Sequence, residues 1–259
     1  MHHHILALSR AAATLASHTA DVLLPRACAA CAQALTRGEH RAGWCDPCLA
    51  AVGRPVSRCL QCAIEHAGPR CETCQIRPPP FSRTLALGTY APPLDRIVGA
   101  FKFSRQPALG SALAAALAPI VQRELATLPL GPVPPIVTAI PLSEERLAER
   151  GYNQSLLIAR PLARALGLHV DLSALSRLRA GPPQSRLSPG ARASNVDQAF
   201  SAAPYPHQRP VLLVDDVMTT GATLAAASHA LIRAGAPSVT CVIVARTATP
   251  DVSRCPGPA

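Results

Sequence analysis

The chain has 259 residues, of which 49% are hydrophobic and 15% charged, so it can build a packed core and disorder throughout is excluded. The formal net charge of +10 favours polyanionic partners such as nucleic acid or phosphate-bearing ligands, although a compositional preference for arginine explains it equally well. No apolar run approaches the ~18 residues of a membrane-spanning helix, so a transmembrane segment is not expected.

The N-terminal residues 1–24 predict an amphipathic helix. This segment is fairly apolar, but Arg10, His18 and Asp21 interrupt it. It has neither the basic start nor the clear cleavage site of a secretory signal. We therefore expect a cytoplasmic protein.

Residues 25–80 predict a cysteine-rich metal-binding module. Eight of the ten cysteines form four C-x-x-C pairs there, and such pairs without a secretory signal favour metal binding in a reducing compartment. Zinc takes four thiolates in a tetrahedron, and a site closed in this way stabilises the fold and leaves no open position for catalysis. The predicted ligands are Cys28, Cys31, Cys45, Cys48, Cys59, Cys62, Cys71 and Cys74.

The order of pairing is a separate prediction. We expect a double zinc ribbon, in which the first two pairs bind one ion and the last two pairs bind a second. An interleaved arrangement, in which the first and third pairs share an ion, is the alternative. Iron–sulfur ligation and disulfides are the alternatives to zinc.

Residues 81–250 predict an α/β domain, which three prolines at 78–80 separate from the cysteine module and which a tail, 251–259, follows. Short apolar runs alternate with helical patterns, and this alternation is typical of a parallel sheet flanked by helices. The predicted strands are 84–90, 136–140, 211–214 and 239–244. The predicted helices are 94–103, 109–128, 154–166 and 223–234, and Pro119 is expected to kink or divide the second of these.

The most informative stretch is V-L-L-V-D-D-V-M-T-T-G-A-T at 211–223. We expect a buried strand that ends at Asp215 and Asp216, a short loop with hydroxyl groups, and then a helix. The loop amides and the helix N-terminus suit a phosphate, and Gly221 permits close approach of a ligand. The two acids suit the vicinal hydroxyls of a ribose, at the strand end where open α/β sheets bind ligands. The stretch therefore predicts a site for a ribose 5-phosphate unit.

A second motif, P-L-S-x2-R-x3-R-G-Y-N-Q, follows the strand predicted at 136–140. Arg146 and Arg150 carry planar guanidinium groups that suit a pyrophosphate or a nucleic-acid backbone. Because Glu144, Glu145 and Glu149 are interleaved with them, a solvated helix face is the alternative interpretation.

The 211–223 stretch closely resembles the phosphoribosyl diphosphate (PRPP) binding signature of type I phosphoribosyltransferases. The resemblance implies that the acids hold the ribose hydroxyls, that the threonine–glycine loop holds the 5-phosphate, and that Mg²⁺ neutralises the pyrophosphate. A phosphate site that has lost its chemistry is the alternative. The binding residues expected on this basis are Asp215, Asp216, Met218, Thr219, Thr220, Gly221, Ala222 and Thr223, together with Arg146 and Arg150.

In type I enzymes a flexible loop closes over the reacting centre and excludes water. By position and composition, residues 177–195 are the counterpart here, with Gln184, Arg186 and Arg192 as candidate ligand contacts. Arg186 joins Asp215 and Asp216 as a predicted catalytic residue. An ordinary surface loop rich in proline and glycine is the alternative.

Taken together, the C-x-x-C pairs, the G-T-Y and F-K-F segments, the R-G-Y-N-Q motif and the D-D-V-M-T-T-G turn resemble the ComF family of competence proteins over almost the whole chain. Members join a zinc module to a phosphoribosyltransferase-like domain. The resemblance implies a role in DNA uptake and natural transformation, a PRPP-like ligand, single-stranded DNA handling, and a helicase or other uptake protein as partner.

Lys102 lies between Phe101 and Phe103, which suits a nucleic-acid strand by charge and stacking, although alternating phenylalanines also pack cores. The alternative function is an active phosphoribosyltransferase, in which a nitrogen nucleophile of unidentified nature displaces pyrophosphate.

Overall fold

A computed structural model describes residues 27–36, 38–39, 42–127, 133–178, 199–204 and 209–248. The predicted N-terminal helix, the C-terminal tail and residues 179–195 of the predicted closing loop, with Gln184, Arg186 and Arg192, lie outside the described residues. The helices are α1 (Asp46–Val52), α2 (Glu72–Ile76), α3 (Leu94–Phe103), α4 (Leu109–Leu125), α5 (Glu144–Arg150), α6 (Gln154–Leu166) and α7 (Ala222–Arg233). The strands are β1 (Arg83–Thr89), β2 (Ile136–Ala139), β3 (His169–Val170), β4 (Leu175–Arg177), β5 (Phe200–Ala202), β6 (Val211–Met218) and β7 (Val239–Arg246).

Five parallel strands form one sheet in the order β1-β7-β6-β2-β3. The central strands β6 and β7 pair from Val211 and Val239 to Met218 and Arg246. Most residues of β6 and all residues of β7 are buried, because the sheet is covered on both faces. The α/β fold with a parallel sheet flanked by helices is thus confirmed.

Successive residues of β6 belong to different buried clusters, which lie on opposite faces of the sheet. Helices α3, α4 and α6 cover one face, where Phe101, Leu117 and Ile158 are buried together. Helix α7 and the second set of cysteine pairs cover the other face, where Phe81 and Leu231 are buried. The antiparallel hairpin of β4 and β5 lies against α7.

Pro119 is expected to kink or divide the helix predicted at 109–128, and the division does not occur. Helix α4 runs through Pro119 from Leu109 to Leu125. Leu117 and Val121, on either side of the proline, are fully buried, and this packing outweighs the loss of about 3 kcal/mol that an internal proline brings.

The predicted end of the strand before the two acids is also wrong. Strand β6 continues to Met218, so Asp215 and Asp216 lie within it. The reason is that β7 is equally long and pairs with β6 as far as Arg246. Consecutive strand residues point to opposite faces, so the two carboxylates leave the strand in different directions.

Candidate functional site

The eight paired cysteines form two clusters in chain order, and in each cluster the ligand atoms lie within 4.8 Å of one another. The sulfur atoms of Cys31 and Cys45 are 3.8 Å apart, and those of Cys62 and Cys71 are 3.6 Å apart. A tetrahedral zinc ion with bonds of about 2.3 Å to sulfur separates its ligands by about 3.8 Å, whereas a disulfide brings them to about 2.05 Å. The clusters therefore fit two metal ions in sequential pairs, and the interleaved arrangement is excluded.

Backbone N–H groups favour the thiolate form of one cysteine in each cluster, Cys28 in the first and Cys59 in the second. The Cys45 N–H donates to Cys28 Sγ, with an N···S distance of 3.4 Å. Burial opposes the charged form of Cys28, but N–H groups of Cys45, Cys31 and Ala30 outweigh it and lower the pKa of Cys28 to about 6. The pKa of Cys59 is lowered to about 6 by the same balance of burial and N–H donation. Anionic sulfur is the form that binds metals.

The first cluster is fixed to helix α4 by its neighbour Trp44. This side chain is 1% exposed, and its Nε1 donates to the carbonyl oxygen of Ala112 at 2.8 Å. Gly43 lets the chain pass close to the helix, since a Cβ there would lie 2.8 Å from the Ala112 Cβ. The cysteine module is therefore anchored in the main core of the domain.

The predicted strand–loop–helix unit is present, and Gly221 forms the turn into α7. Its φ of +84° is in the left-handed region, and a Cβ at this position would lie 2.5 Å from Met218 Cε. Both the backbone conformation and the space available therefore require glycine. Thr219 and Thr220 are exposed beside it.

A pocket opens at the N-terminus of α7. It is lined by Asp215 and residues 217–224, so it joins one of the two acids to the hydroxyl-bearing loop. Of the residues predicted to bind a sugar phosphate, the pocket brings together Asp215, Met218, Thr219, Thr220, Gly221, Ala222 and Thr223.

Asp215 is held by two hydrogen bonds from within the site. Its Oδ1 accepts from the Ser155 hydroxyl at 2.8 Å and from the Asp216 backbone N–H at 2.9 Å. Burial, reinforced by the negative charge of Asp216, raises the pKa of Asp215 to about 7. The carboxyl group is thus poised to exchange its proton near neutral pH.

Asp216 lies on the other side of the strand and forms an ion pair with Lys102. The Lys102 Nζ lies 3.0 Å from Asp216 Oδ1, and the two side chains are 18% and 10% exposed. Lys102 belongs to α3, so this pair joins the C-terminal part of that helix to β6. Phe101 is buried in the core as the alternative interpretation proposed, whereas Phe103 is 69% exposed.

One arginine, Arg177, lies within electrostatic range of Asp215, and a second, Arg146, lies within electrostatic range of Arg177. Burial and the positive charge of Arg146 lower the pKa of Arg177, while Glu145 and Asp215 oppose this effect. Arg177, in β4, therefore lies within electrostatic range of both Arg146 and Asp215, and its guanidinium stacks 5.2 Å from the centroid of the Phe200 ring. Arg146 is exposed, as the interpretation of a solvated helix face also expects.

Arg150 takes a different position from Arg146. Its guanidinium carbon lies 5.6 Å from the centroid of the exposed Phe103 ring, and its Nη1 donates to Gln154 Oε1 at 3.1 Å. The Nε atom is buried without a hydrogen-bond partner. Arg150 and Phe103 thus form a cationic and aromatic surface next to the Lys102–Asp216 pair.

The rest of the R-G-Y-N-Q motif connects the helices around the site. Gly151 ends α5 with a φ of +78°, and Asn153 caps α6 by accepting from the Leu156 N–H at 3.2 Å. Asn153 also donates to the carbonyl oxygen of Ile140 at 3.0 Å, just beyond β2. These bonds place the first turn of α6, and with it Ser155, against Asp215.

Sequence reasoning missed two residues of the site, Ser155 and Arg246. Ser155 carries no local signal, because its partner Asp215 is 60 positions away. Arg246 does carry one, since it closes the otherwise apolar run V-I-V-A at the end of a strand. It is 8% exposed and donates to the carbonyl oxygens of Cys62 and Met218 at 2.9 and 3.1 Å.

Comparisons with known proteins agree with this architecture. A family model for the phosphoribosyl transferase domain matches residues 153–254. The DNA utilization protein YhgH of Salmonella typhi is 37% identical over 210 residues, which span 79% of this chain and 91% of that protein. YhgH of Escherichia coli K12 is 34% identical over 226 residues, which span 86% of this chain and 98% of that protein. Competence protein F of Haemophilus influenzae is 30% identical over 203 residues, spanning 76% and 87%.

Two solved structures are also similar in part. Glutamine PRPP amidotransferase from B. subtilis, complexed with ADP and GMP, matches 54% of this chain and 26% of its own, with 25% identity and a TM-score of 0.35. Adenine phosphoribosyltransferase from Leishmania tarentolae matches 56% of this chain and 73% of its own, with 15% identity and a TM-score of 0.32.

The parallel sheet, its strand–loop–helix unit and the matching domain model define a protein with a phosphoribosyltransferase-like domain. The two four-cysteine clusters precede that domain. The chain belongs to the ComF family, together with these YhgH proteins and competence protein F. Over the part of the chain that the structure describes, every helix is too short or too polar to cross a bilayer.

Proposed function

We propose that the chain binds a phosphorylated ribose, with PRPP as the first candidate, and that it acts in the use or uptake of DNA. The observation that carries the ligand proposal is the pocket that joins Asp215 to the loop and helix start at residues 217–224. A ligand that has both vicinal hydroxyls and a phosphate matches these two kinds of protein group.

The phosphate is assigned to the N-terminus of α7. The first N–H groups of a helix have no partner inside the helix, and the helix dipole favours an anion there. Helix α7 has 12 residues and begins directly after the left-handed Gly221. The exposed Thr219 and Thr220 add hydroxyl donors at the same place.

The ribose and a magnesium ion are assigned to the two acids. Mg²⁺ prefers oxygen ligands and commonly combines one or two carboxylates with substrate phosphates. Asp215 offers a carboxylate beside the pocket, and Asp216 offers another that Lys102 holds in place. When bound, Mg²⁺ would neutralise the diphosphate, and Asp215 would accept hydrogen bonds from the ribose hydroxyls.

The diphosphate is assigned to Arg177, which lies within electrostatic range of Asp215, and to its neighbour Arg146. Burial, together with the positive charge of Arg146, lowers the pKa of Arg177, and a dianionic group bound by both arginines would offset the repulsion between them. Arg186, which lies outside the described residues, stays our proposal for a third arginine that contacts the reacting centre.

Single-stranded DNA is assigned to the surface formed by Phe103 and Arg150. An exposed aromatic ring stacked with a guanidinium suits unpaired bases, which stack on such groups without sequence preference. The net charge of +10 favours a polyanion, and the relatives are named for DNA utilization and for competence. Zinc in the two cysteine clusters would support this arrangement structurally, in the reducing compartment that thiolate ligands require.

Calorimetric titration of the zinc-replete protein with PRPP and Mg²⁺ tests the ligand proposal. We expect Asp215→Asn combined with Asp216→Asn to weaken binding at least about tenfold, because each charged hydrogen bond contributes ~1.5–3 kcal/mol. Zinc content should stay unchanged. Glu149→Gln, at an exposed acid of α5, is the matched control and should bind as the wild type does. Equal affinity in the double variant and the control would overturn the ligand proposal.

Fluorescence anisotropy with a labelled oligothymidylate tests the DNA proposal. We expect affinity to fall with salt, as counterion release requires, and to fall several-fold in Phe103→Ala. Ile76→Ala is the matched control, because Ile76 is also 69% exposed but lies on α2. Unchanged binding in Phe103→Ala would remove the stacking surface from the proposal.

Phosphoribosyl transfer is the second candidate function. It is favoured by the phosphoribosyl transferase domain match, which contains both acids and residues 218–221, called the phosphate loop below. In such a reaction a nitrogen nucleophile forms a bond to C1 of the ribose as the bond to pyrophosphate breaks. Release of pyrophosphate from PRPP in the presence of a panel of nucleobases, and its loss in Asp215→Asn, would support this candidate. Binding without release would leave PRPP as a regulatory ligand.

A further inference from the structure

We propose that Arg246 couples the second cysteine cluster to the phosphate loop, so that metal in that cluster and a ligand at the loop strengthen each other. Arg246 is a positioning residue here, because it touches both partners through their backbones. The ligand half of this inference rests on the function proposed above, whereas the effect of the metal on the loop does not.

The guanidinium of Arg246 bridges two parts of the chain that are far apart in sequence. Its Nε donates to the carbonyl oxygen of Cys62 at 2.9 Å. Its Nη1 donates to the carbonyl oxygens of Met218, at 3.1 Å, and of Thr219. A single planar group therefore holds the metal cluster and the end of β6 in one geometry.

On the metal side, the carbonyl group that Arg246 contacts belongs to a ligand residue. Cys62 closes the turn of the third C-x-x-C pair, in which the Ala63 N–H donates to the Cys59 carbonyl at 2.8 Å. Ala63 adopts a left-handed φ of 57°, and its own carbonyl accepts from Arg58 Nη1 at 3.0 Å. A bound metal fixes this turn through the sulfur atoms, so loss of the metal frees the Cys62 carbonyl to move.

On the ligand side, the same carbonyl groups form the base of the phosphate loop. The Met218 carbonyl also accepts from the Thr247 N–H at 3.1 Å, next to Arg246 in β7. The Met218 side chain lies directly beneath Gly221, where a Cβ would approach its Cε to 2.5 Å. A shift of the backbone at Met218 or Thr219 therefore reaches the turn at which α7 begins.

Arg246 cannot simply turn to other partners. It is 8% exposed, and its hydrogen bonds within the described residues go to carbonyl and hydroxyl oxygens. A buried guanidinium that loses one acceptor must find another, because leaving charged donors unpaired is unfavourable. When the Cys62 carbonyl moves, the guanidinium moves with it or pulls on the loop carbonyls.

The first cluster provides an internal comparison. Its anchor runs to α4, through the bond from Trp44 to the Ala112 carbonyl, and not to the loop. Metal in the first cluster is therefore expected to leave the loop unchanged. Because coupling between two sites is reciprocal, a ligand at the loop should retain metal in the second cluster but not in the first.

Hydrogen–deuterium exchange of the full chain without ligand tests the metal half directly. We compare Cys71→Ser/Cys74→Ser, which disables the second cluster, with Cys31→Ser/Cys48→Ser, which disables the first. We expect amide exchange at 218–224 to rise at least fivefold in the second-cluster variant alone. Equal exchange at 218–224 in the two variants would overturn the coupling, whether or not PRPP binds.

Zinc release to a chromogenic chelator, with and without PRPP and Mg²⁺, tests the reciprocal half and avoids variants that fail to fold. In the wild type we expect PRPP to slow release of one zinc ion of two at least fivefold. In Arg246→Gln we expect both ions to be retained initially and PRPP to have no effect on either. Arg246→Lys keeps the positive charge but not the planar guanidinium. PRPP should slow its zinc release less than in the wild type and more than in Arg246→Gln.

The outcomes separate this inference from the proposed function. If PRPP binds by calorimetry but leaves both release rates unchanged, the coupling is wrong and the proposed function stands. If PRPP does not bind, the proposed function is wrong, and the exchange at 218–224 decides the coupling by itself.

Discussion

Lys102 Nζ lies 3.0 Å from Asp216 Oδ1, so the only lysine of the chain compensates the second of the two adjacent acids. Every other residue that is permanently basic is an arginine. The compact ammonium of Lys102 reaches from α3 to Asp216 in β6. The pair links a helix of one face of the sheet to the strand that carries the site.

Removal of the Lys102 charge should destabilise the fold. In Lys102→Met, Asp216 keeps its charge beside Asp215 without a partner, and we expect the free energy of unfolding to fall by about 1–3 kcal/mol. Urea unfolding at neutral pH measures this loss. Lys102→Arg should recover more than half of the stability that Lys102→Met loses. A Lys102→Met variant as stable as the wild type would contradict the stabilising role of the Lys102–Asp216 ion pair.

Stability should depend on pH through Asp215. The folded carboxyl has a pKa of about 7, raised by burial and by Asp216, whereas an unfolded aspartate titrates near ~3.9. Between these values the folded chain binds more protons, so its stability falls as pH rises toward 7. Relative to Asp215→Asn, the free energy of unfolding of the wild type should fall by roughly 1–3 kcal/mol between pH 5 and pH 8, as measured by urea unfolding. A constant difference between the two proteins would show that the carboxyl titrates normally.

Two glycines with similar backbone conformations should tolerate alanine differently. Gly151→Ala meets nothing within 4 Å at a φ of +78°, so only the left-handed conformation opposes it, by about 1 kcal/mol. Gly221→Ala has the same conformational penalty and also displaces the buried Met218 methyl group. We therefore expect it to lower the free energy of unfolding by about 2 kcal/mol. Thermal unfolding compares the two. PRPP binding should be lost only in Gly221→Ala, and equal behaviour of both variants would contradict the role of the loop.

Trp44 should report on metal in the first cluster alone. It is the only tryptophan, it is 1% exposed, and it precedes the ligand Cys45. Its emission should shift to longer wavelength in Cys31→Ser/Cys48→Ser, as the indole becomes hydrated. Cys71→Ser/Cys74→Ser should leave the emission unchanged, and each double variant should hold one zinc ion where the wild type holds two. A red shift in both variants would mean that the clusters are not independent.

The elements that local pattern determines were predictable from the sequence. Helix α3 is predicted at 94–103 and observed as Leu94–Phe103, because Ile97, Val98 and Phe101 repeat at helical spacing and face the core. The metal clusters were predictable because each C-x-x-C turn supplies two ligands locally, and only the partner turn had to be inferred.

Features that depend on partners distant in sequence were not predictable. The length of β6 is set by β7, and the unbroken α4 by its packing on both sides of Pro119. The different surroundings of Arg146 and Arg150 include Arg177 and Phe103, which lie in other elements. A sequence of charges on one short helix carries no information about such neighbours.

The second cysteine cluster also covers one side of the sheet. Strand β1 is one of the two edge strands of the five-stranded sheet. Its Thr84 N–H donates to the Leu60 carbonyl at 3.0 Å, and the Thr84 hydroxyl donates to the Gln61 carbonyl at 2.6 Å. Leu60 and Gln61 lie between Cys59 and Cys62 of this cluster. A newly made chain without metal in this cluster would therefore leave part of the β1 edge unprotected, and an unprotected edge strand can pair with other chains.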